Sequence, residues 1–464
     1  MGQPDIVPQH AETIPDPSAM ESGKQEFSTE DRIASLPEEH REYLLARHGT
    51  LDLDPIPDMN DADPYNWPRW RGVSMQRTSY LVSLFIAVLG GAPLLWRPLA
   101  NRYGRRPIFL ISLLCAMLGN IGCAESHSYA TMGLCRAITA FFICPPAAMG
   151  SAVVAEMFFK KDRARCMGCW TLMVTIGVPI SPFLFGFLAL RISYRWIYWV
   201  LAITNAVQLL LYFVFGAETL YLREEGFPKR ATTADNTLFS FRRIDPTPPA
   251  LPLAYATKPC VIIPAAAYAM VFLWGGIMLT IQTSQIFPEQ FGFNTQQVGL
   301  QFLGIIIGSV LGEQIGGLIS DRWMLFRQKR TGEFPAAEYR LWLSYIGYAL
   351  AICGVVVFCV QLQDAGEVWN ITPIVGAAIA AGGNQIVTTV NITYAVDCYR
   401  PDAASVGVFI TFVRQMWGFI GPFWFPQMFL NVGGAGGAGI AVALLVAVGV
   451  IPTVLVQWRG ASWR

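Results

Sequence analysis

Charged residues are scarce in this sequence. Asp, Glu, Lys and Arg make up 14% of its 464 residues and apolar residues make up 53%, whereas soluble domains carry about 25% charged residues. The scarcity comes from uncharged stretches at 107–124, 167–190, 259–287, 341–361 and 431–458. Each is close to or above the roughly 20 helical residues that cross the hydrocarbon core of a bilayer. The composition predicts an all-α polytopic membrane protein and disfavours a soluble enzyme, a fibrous protein or a nucleic-acid binder.

Histidines are also few, and the sequence has no nucleotide-binding signature. Only four histidines occur, three of them before residue 50, and the ten cysteines lie mostly in apolar stretches. No cluster of His, Cys and acidic residues lies at membrane depth, as an intramembrane metal or haem site would need. No G-x-x-x-x-G-K-[ST] segment is present. We therefore expect no metal, no cofactor, no enzymatic activity and no direct use of ATP.

The apolar stretches divide into eleven predicted spans. They are 78–99, 107–126, 130–157, 167–190, 194–216, 259–284, 297–319, 341–361, 371–396, 405–430 and 438–457. The longest connection, 217–258, is polar and Pro-rich and separates five spans from six. We therefore predict two half-bundles, 78–216 and 259–458, joined by a cytoplasmic central loop and followed by a short tail at 459–464.

The first 77 residues differ from the rest of the chain. They hold 15 acidic and 7 basic residues and show no apolar period. Segments of low hydrophobicity and high net charge do not bury enough apolar surface to fold. We predict an acidic disordered tail at 1–77, with one short helix over 37–47.

The distribution of basic residues predicts the orientation. The connections 97–106, 157–166, 217–258, 320–340 and 397–404, with the C-terminal tail, hold 22 Lys and Arg, and the alternate connections hold 2. Cytoplasmic connections carry the excess of basic residues. The basic connections, called the basic side below, are therefore predicted to face the cytoplasm. This orientation places the acidic tail outside, which is a first sign that a span is missing before residue 78.

Two connections on the basic side repeat a pattern. Residues 97–106 read Arg-Pro-Leu-Ala-Asn-Arg-Tyr-Gly-Arg-Arg, and residues 317–323 read Gly-Leu-Ile-Ser-Asp-Arg-Trp. Two spans after each loop an acidic residue stands at a helix end, Glu156 in the first half and Asp397 in the second. Repeated halves are the sequence mark of many secondary transporters.

These features resemble the major facilitator superfamily. The 97–106 loop resembles its signature G-x-L-A-D-R-x-G-R-R, which lies between the second and third helices. Residues 66–71 resemble the segment before the first helix in the fungal drug:proton antiporter-like branch, and 177–182 resemble a degenerate Gly/Pro motif of the fifth helix. The resemblance runs from about 64 to 458. It implies two half-bundles that rock about a central site and couple transport to protons.

The chain departs from the family pattern at several points. Arg97 stands where the signature has glycine, and Asn101 stands where it has aspartate. The family has a helix between the Asn-Trp-Pro segment and the span before the signature, but here Arg71 runs almost directly into 78–99. The resemblance therefore implies that the first transmembrane helix, which lines the substrate path in the family, is absent.

The resemblance also implies ion pairs that latch one conformation. The latch residues are Asn101, Arg102, Gly104, Arg105, Arg106 and Glu156 in the first half, and Asp321, Arg322 and Asp397 in the second. Arg102, Arg105 or Arg106 is expected to pair with Glu156. Arg322 is expected to pair with Asp397. Because Asn101 has no charge, the first latch is expected to be weaker than in the family. The alternative for Arg105 and Arg106 is that they form no latch and only contribute to the excess of basic residues on the cytoplasmic side.

Polar residues inside the spans are the candidates for substrate binding or coupling. They are Arg136, Gln282, Glu313, Asn384, Gln385, Asn391 and Arg414. A charge at membrane depth is costly and usually faces the bundle interior or water. Arg414 shares a helical face with Gly407, Thr411 and Gly418, which is typical of a cavity wall. Structural ion pairs or snorkelling remain the alternative for the charges, and helix–helix hydrogen bonds for the amides.

One predicted span carries a stripe of small residues. Gly304, Gly308, Gly312 and Gly316 recur every fourth residue. Such a stripe lets two helix backbones approach closely. A neighbouring helix of the same chain is enough to satisfy it.

The sequence thus predicts a secondary active transporter of a small organic solute, which is a drug, a polyamine or a secondary metabolite. Two alternatives remain open: a transport-dead isoform or incorrect gene product that lacks the first helix, and a membrane receptor built on a transporter scaffold. The expected partners are the lipid bilayer, the solute and protons, and no nucleic acid. We expect a monomer, in the plasma membrane rather than the vacuolar membrane.

Overall fold

A computed structural model describes residues 36–48, 59, 75–157, 160–216, 218–219, 252–332, 336–366, 368–399 and 402–463. The described residues form helices and no strand. The helices are α1 Glu38–His48, α2 Met75–Tyr103, α3 Arg105–Ala124, α4 Tyr129–Met157, α5 Lys160–Arg191, α6 Tyr194–Phe215, α7 Pro259–Phe291, α8 Thr295–Thr331, α9 Trp342–Asp364, α10 Thr372–Cys398, α11 Ala403–Leu444 and α12 Ile451–Trp463. Two short 3-10 helices, Pro252–Thr257 and Ala337–Leu341, precede α7 and α9. The all-α prediction is confirmed.

The chain forms two compact units, 1–73 and 74–464. In the first unit, α1 coincides with the helix predicted at 37–47. The rest of the predicted disordered tail lies largely outside the described residues. The second unit contains α2 to α12, and all further description concerns this unit.

Eight helical segments of the described residues are long and apolar enough to cross a membrane. One of them, Ser405–Trp463, has 59 residues and would measure about 88 Å as a straight helix, far more than a ~30 Å hydrocarbon core. At Gly433 the backbone leaves the helical region, with φ 72° and ψ 178°. Beyond this point the chain returns along α9, since Gly434 lies against the Cys359 carbonyl and Gln457 accepts a hydrogen bond from Tyr345. The predicted break at 431–437 is therefore present, while the count of eleven spans stays a prediction.

The described residues include three π-helical turns. These turns are Leu273–Met278 in α7, Ile315–Ile319 in α8 and Leu445–Val450 between α11 and α12. Each contains glycine. Such single-turn π segments are frequent at functional sites.

The glycine stripe packs α8 directly against α10. A Cβ on Gly308 would collide with the Ala378 carbonyl, and one on Gly312 would collide with the carbonyl and Cα of Gly382. The predicted close approach is confirmed, and the partner is a helix of the same chain.

Gly312→Ala is expected to destabilise the protein, because the new methyl group has to displace the α10 backbone. Overpacking of this kind costs about 1–3 kcal/mol. Gly317→Ala on the same helix is the matched control, since nothing lies within 4 Å of a Cβ there. Thermal unfolding of the two detergent-purified variants measures the difference, and equal melting temperatures would contradict the packing argument.

The two half-bundles meet mainly through two helix pairs, α2 with α11 and α5 with α8. In the first pair, Tyr80 stacks on Phe423 with ring centroids 4.9 Å apart. In the second pair, a Cβ on Gly186 would lie 2.8 Å from the Thr295 carbonyl oxygen, and one on Gly299 would lie 2.7 Å from the Pro182 carbonyl oxygen. With two repeated halves, α2 corresponds to α8 and α5 to α11. The contact between the halves is therefore pseudo-symmetric.

Candidate transport site

A buried carboxylate joins α8 to α10. Glu313 is 8% exposed, and its Oε2 atom accepts hydrogen bonds from Gln385 Nε2 at 3.2 Å and Thr389 Oγ1 at 3.1 Å. No cation among the described residues pairs with it. A buried charge without a counter-ion is unfavourable, so the carboxyl group gains from binding a proton. The structure thus brings the candidates Glu313 and Gln385 together in one cluster.

Arg414 forms a second polar centre, between α11 and α7. Its Nη1 donates a hydrogen bond to the Tyr268 hydroxyl at 2.9 Å, and its guanidinium carbon lies 4.8 Å from the Phe272 ring centroid and 5.8 Å from that of Tyr268. Both distances fall within the range of cation–π attraction. In the described part of the chain, no carboxylate pairs with Arg414. The guanidinium group therefore lies against aromatic rings and has no counter-ion among the described residues.

Several buried polar atoms of α7 and α10 lack a partner. Among the described residues, nothing forms a hydrogen bond with Trp274 Nε1, Gln282 Nε2 or Asn384 Oδ1. Trp274 and Gln282 are 0% and 1% exposed, and Asn384 is 8% exposed. The π-helical turn sets Gly275 against Asn384, where a Cβ would lie 3.2 Å from the asparagine Cβ. Buried polar groups are nearly always hydrogen-bonded, so water or a ligand is expected at these atoms.

Asn391 lies in a different environment from the other amides. Its Nδ2 donates to the Tyr348 hydroxyl at 3.2 Å, which is hydrogen-bonded to Thr453 Oγ1 at 2.9 Å. Thr453 in turn donates to the Gly449 carbonyl, inside a π-helical turn. This series of hydrogen bonds connects α10, α9 and α12. The hydrogen bond of Asn391 is of the helix–helix kind expected as the alternative for the amides, and its role as a substrate contact stays a prediction.

Arg136 is separate from these centres. Its guanidinium carbon lies 5.9 Å from the ring centroid of Phe85 on α2. No contact among the described residues brings it to Glu313 or Arg414. The structure therefore places this candidate in the first half, apart from the polar centres of the second.

On the basic side, Asp397 pairs with an arginine other than the predicted one. Arg340 Nη2 lies 3.6 Å from Asp397 Oδ2, and Arg340 Nη1 donates to Ser320 Oγ at 2.8 Å. The side chain of Arg322 is exposed. In this structure the 3-10 helix that precedes α9 carries Arg340 to the end of α10, where it pairs with Asp397. The pairing of Arg322 with Asp397 stays a prediction.

In the first half, Glu218 holds the start of α3. Its Oε1 accepts from the Arg105 backbone N–H at 3.1 Å, and its Oε2 accepts from that of Arg106 at 2.9 Å. Arg106 Nη2 donates to the Phe213 carbonyl at 3.1 Å. Gly104 makes the turn before α3 at φ 91°, and a Cβ there would lie 2.6 Å from Glu218 Oε2. A carboxylate at a helix N-terminus satisfies free N–H groups and the helix dipole.

Sequence reasoning missed Glu218. Its partners lie more than 100 residues earlier, and the only local signal is an acidic residue just after an apolar span on the basic side. Glu156 was the predicted partner of the loop arginines. Its side chain and those of Asn101, Arg102 and Asp321 lie outside the described part of the chain.

Arg97 connects the two halves on the basic side. It stands in α2 and interacts electrostatically with Asp402, which precedes α11, and with Tyr255 in the 3-10 helix before α7. Burial raises the pKa of Tyr255 to about 12, and the hydrogen bond and charge of Asp402 contribute. The hydroxyl therefore stays neutral and donates to the carboxylate. An arginine in place of the signature glycine thus supplies a charge contact between the halves.

The family model of the Major Facilitator Superfamily matches residues 62–422. This chain belongs to the major facilitator superfamily. The match covers the connections, the repeated loops and the paired helices described above. As a superfamily member with several apolar helices, the protein is an integral membrane transporter, whose partners are the lipid bilayer and a small-molecule substrate.

Curated superfamily members and one solved structure are similar to the chain. It is 26% identical to the efflux pump radE of Floropilus chiversii, over 81% of this chain and 72% of that protein. It is 25% identical to the MFS-type transporter hepF of Aspergillus oryzae, over 80% and 77%. The crystal structure of the human organic anion transporter MFSD10 (TETRAN) aligns with a TM-score of 0.52 and 17% identity, over 82% of this chain and 83% of that one. This last likeness shows the superfamily fold.

Glu218→Gln should lower the stability of this superfamily member. A glutamine keeps one acceptor oxygen but turns an NH2 group toward a second backbone N–H, and the loss of such a cap costs about 0.5–2 kcal/mol. Glu289→Gln is the control, since Glu289 is exposed at the far end of α7. Thermal unfolding compares the two. If the Glu218→Gln protein has the same melting temperature as the wild type, this cap does not stabilise α3.

Proposed function

We propose that the protein is a proton-coupled secondary transporter that exports small organic solutes with an anionic or hydrogen-bond-accepting group, by alternating access of the two half-bundles. The observation that carries the proposal is Arg414, a cation in the membrane-spanning part that no described carboxylate neutralises. The branch resemblance and the name of the relative radE, an efflux pump, support export.

Arg414 bears on the class of solute. An uncompensated guanidinium attracts anions and repels cations, and the surrounding rings of Tyr268 and Phe272 suit an apolar or aromatic body. The buried polar atoms of Trp274, Gln282 and Asn384 offer two donors and one acceptor to a ligand. Of the three predicted solute classes, acidic drugs and secondary metabolites fit this chemistry, and polyamines do not.

Glu313 supports the coupling to protons. It is a buried carboxylate of the second half, and its described hydrogen-bond partners are neutral. It lies on α8, the helix that packs against α5 of the first half. Intramembrane carboxylates commonly serve as proton relays in transporters. Protonation of Glu313 would remove a buried charge from the α8–α10 contact, which is the kind of change that biases two conformations.

The test is flux into proteoliposomes that contain the purified full-length chain. A labelled aromatic carboxylate, a neutral aromatic solute and a labelled polyamine are offered under an imposed pH gradient. We expect gradient-dependent flux of the carboxylate above the neutral solute, and none of the polyamine. Binding of the solutes without flux would support the receptor alternative, and flux of the polyamine alone would overturn the assigned chemistry.

The absence of the first helix, which the resemblance implies, would favour one alternative, a transport-dead isoform or incorrect gene product. By the repeat, the counterpart of α7 should precede α2, but α2 begins at Met75, four residues after Arg71. Full-length transcript sequencing across codons 64–82 tests this. Transcripts that encode roughly 40 further residues, enough for a span and a loop, would identify the longer form as the transporter. Transcripts that match this sequence, together with absent flux, would favour the dead isoform.

We also propose that the protein is a monomer in the plasma membrane. The glycine stripe of α8 is occupied by α10 of the same chain, so it requires no second copy, and an exporter acts at the cell boundary. Size-exclusion chromatography with light scattering and microscopy of a fluorescent fusion test the two statements.

A further inference from the structure

The basic end of α8 forms a surface whose chemistry fits anionic lipid headgroups. This surface is the helix Ser320–Thr331, 12 residues long, which continues α8 beyond its π-helical turn and ends at Gly332 with φ 75°. It carries four cations, Arg322, Arg327, Lys329 and Arg330, and its sequence contains a single acidic residue, Asp321. We propose that this surface binds the anionic phospholipid headgroups of the cytoplasmic leaflet, with phosphatidylserine as the representative lipid.

The helix presents cations and apolar side chains on one broad face. Trp323, Leu325 and Phe326 are 39%, 55% and 58% exposed, and all four cations are exposed. Met324, on the opposite side, is 6% exposed and fixes the helix to the bundle. At 100° per residue the exposed apolar residues alternate with the cations around the axis. A soluble surface rarely exposes such apolar side chains together, whereas the headgroup boundary of a bilayer accommodates both kinds.

Local contacts hold part of this surface in place. The Trp323 ring stacks on Tyr339 with centroids 5.5 Å apart and an interplanar angle of 3°. The Arg327 guanidinium carbon lies 4.1 Å from the Tyr339 ring centroid, and that of Arg330 lies 5.9 Å from the Phe326 ring centroid. Stacked guanidinium groups keep their edge N–H groups free to bind phosphate or carboxylate oxygens. Arg327 and Arg330 are therefore held by ring contacts while they remain exposed.

The position of the helix along α8 fits the headgroup layer. The apolar part of α8 ends near Ile319, so Arg322 to Arg330 follow within about 16 Å at 1.5 Å per residue. The headgroup region extends roughly 5–8 Å beyond the hydrocarbon core, and long cationic side chains reach back toward it. The basic side is the predicted cytoplasmic side, where anionic lipids are concentrated and attract juxtamembrane cations.

Native mass spectrometry of the full-length protein in detergent, supplied with equal amounts of phosphatidylserine and phosphatidylcholine, tests the proposal. The test variant replaces Arg322, Arg327, Lys329 and Arg330 with Gln. We expect the ratio of retained phosphatidylserine to phosphatidylcholine to fall about threefold or more in this variant. The matched control makes the same charge change in the central loop, at Lys229, Arg230, Arg242 and Arg243, and should keep the wild-type ratio.

A charge-conserving variant separates binding from folding. Replacement of the three arginines of the surface with Lys should retain phosphatidylserine, while Phe326→Ser should weaken retention without a change of charge. An unchanged lipid ratio in the four-residue variant would overturn the proposal, and so would an equal loss in the central-loop control. Competition by soluble glycerophosphoserine at the same concentration as the lipid would assign the surface to a soluble anion instead.

Discussion

Glu313→Gln is expected to abolish transport driven by a pH gradient while leaving the protein folded. Gln385 and Thr389 both donate to the same oxygen, Oε2. A glutamine whose amide oxygen takes that position keeps both hydrogen bonds but cannot release or bind a proton. We expect gradient-driven accumulation of solute to be lost, as for the loss of a proton-relay carboxylate. Exchange of labelled solute at equal pH on both sides should persist.

The two readouts distinguish coupling from collapse of the site. Glu289→Gln makes the same chemical change at an exposed position and should leave both readouts at wild-type values. Loss of exchange together with accumulation would mean that Glu313 holds the α8–α10 contact rather than coupling transport. Full gradient-driven accumulation in Glu313→Gln would place the coupling group elsewhere in the chain.

The membrane helices were predictable because their determinants are local. The predicted spans match most helix ends to within a few residues, but α5 begins at Lys160 rather than 167 and α8 ends at Thr331 rather than 319. The Gly-rich segment at 431–437 marked the point where Gly433 breaks the longest helix. The π-helical turns were not predictable. They depend on tertiary neighbours, as at Gly275, which lies against Asn384 of another helix.

The candidate site was predictable in its charges and not in its partners. Glu313 and Arg414 stood out because a charge inside an apolar span is costly wherever it points. Their partners, such as Tyr268, come from helices distant in sequence and leave no local pattern. The same distance hid Glu218 and Arg340. A buried amide such as Asn391 gives the same sequence signal whether it meets a substrate or a tyrosine of a neighbouring helix, so the sequence alone did not separate the two roles.

Arg414→Ala is expected to abolish solute flux while membrane abundance stays near wild type. The substitution removes a cation that no described carboxylate neutralises, together with its hydrogen bond to Tyr268 and its contact with the Phe272 ring. Removal of an uncompensated charge from the membrane relieves a cost, so folding is not expected to suffer. Flux in proteoliposomes and quantitative immunoblotting of membranes measure the two effects.

Graded variants show which property of Arg414 the solute uses. Arg414→Lys keeps the charge but loses the planar stacking, and Tyr268→Phe keeps the ring but loses the hydroxyl that positions the guanidinium. If the charge binds an anionic group, the lysine variant should retain partial flux of an aromatic carboxylate, and Tyr268→Phe should mainly raise KM. Arg136→Ala removes a different arginine of the spans and should leave carboxylate selectivity intact, since Arg136 lies apart at Phe85.

Normal flux in Arg414→Ala would remove Arg414 from the mechanism. An equal loss for neutral and anionic solutes would reduce its role to holding α7 against α11.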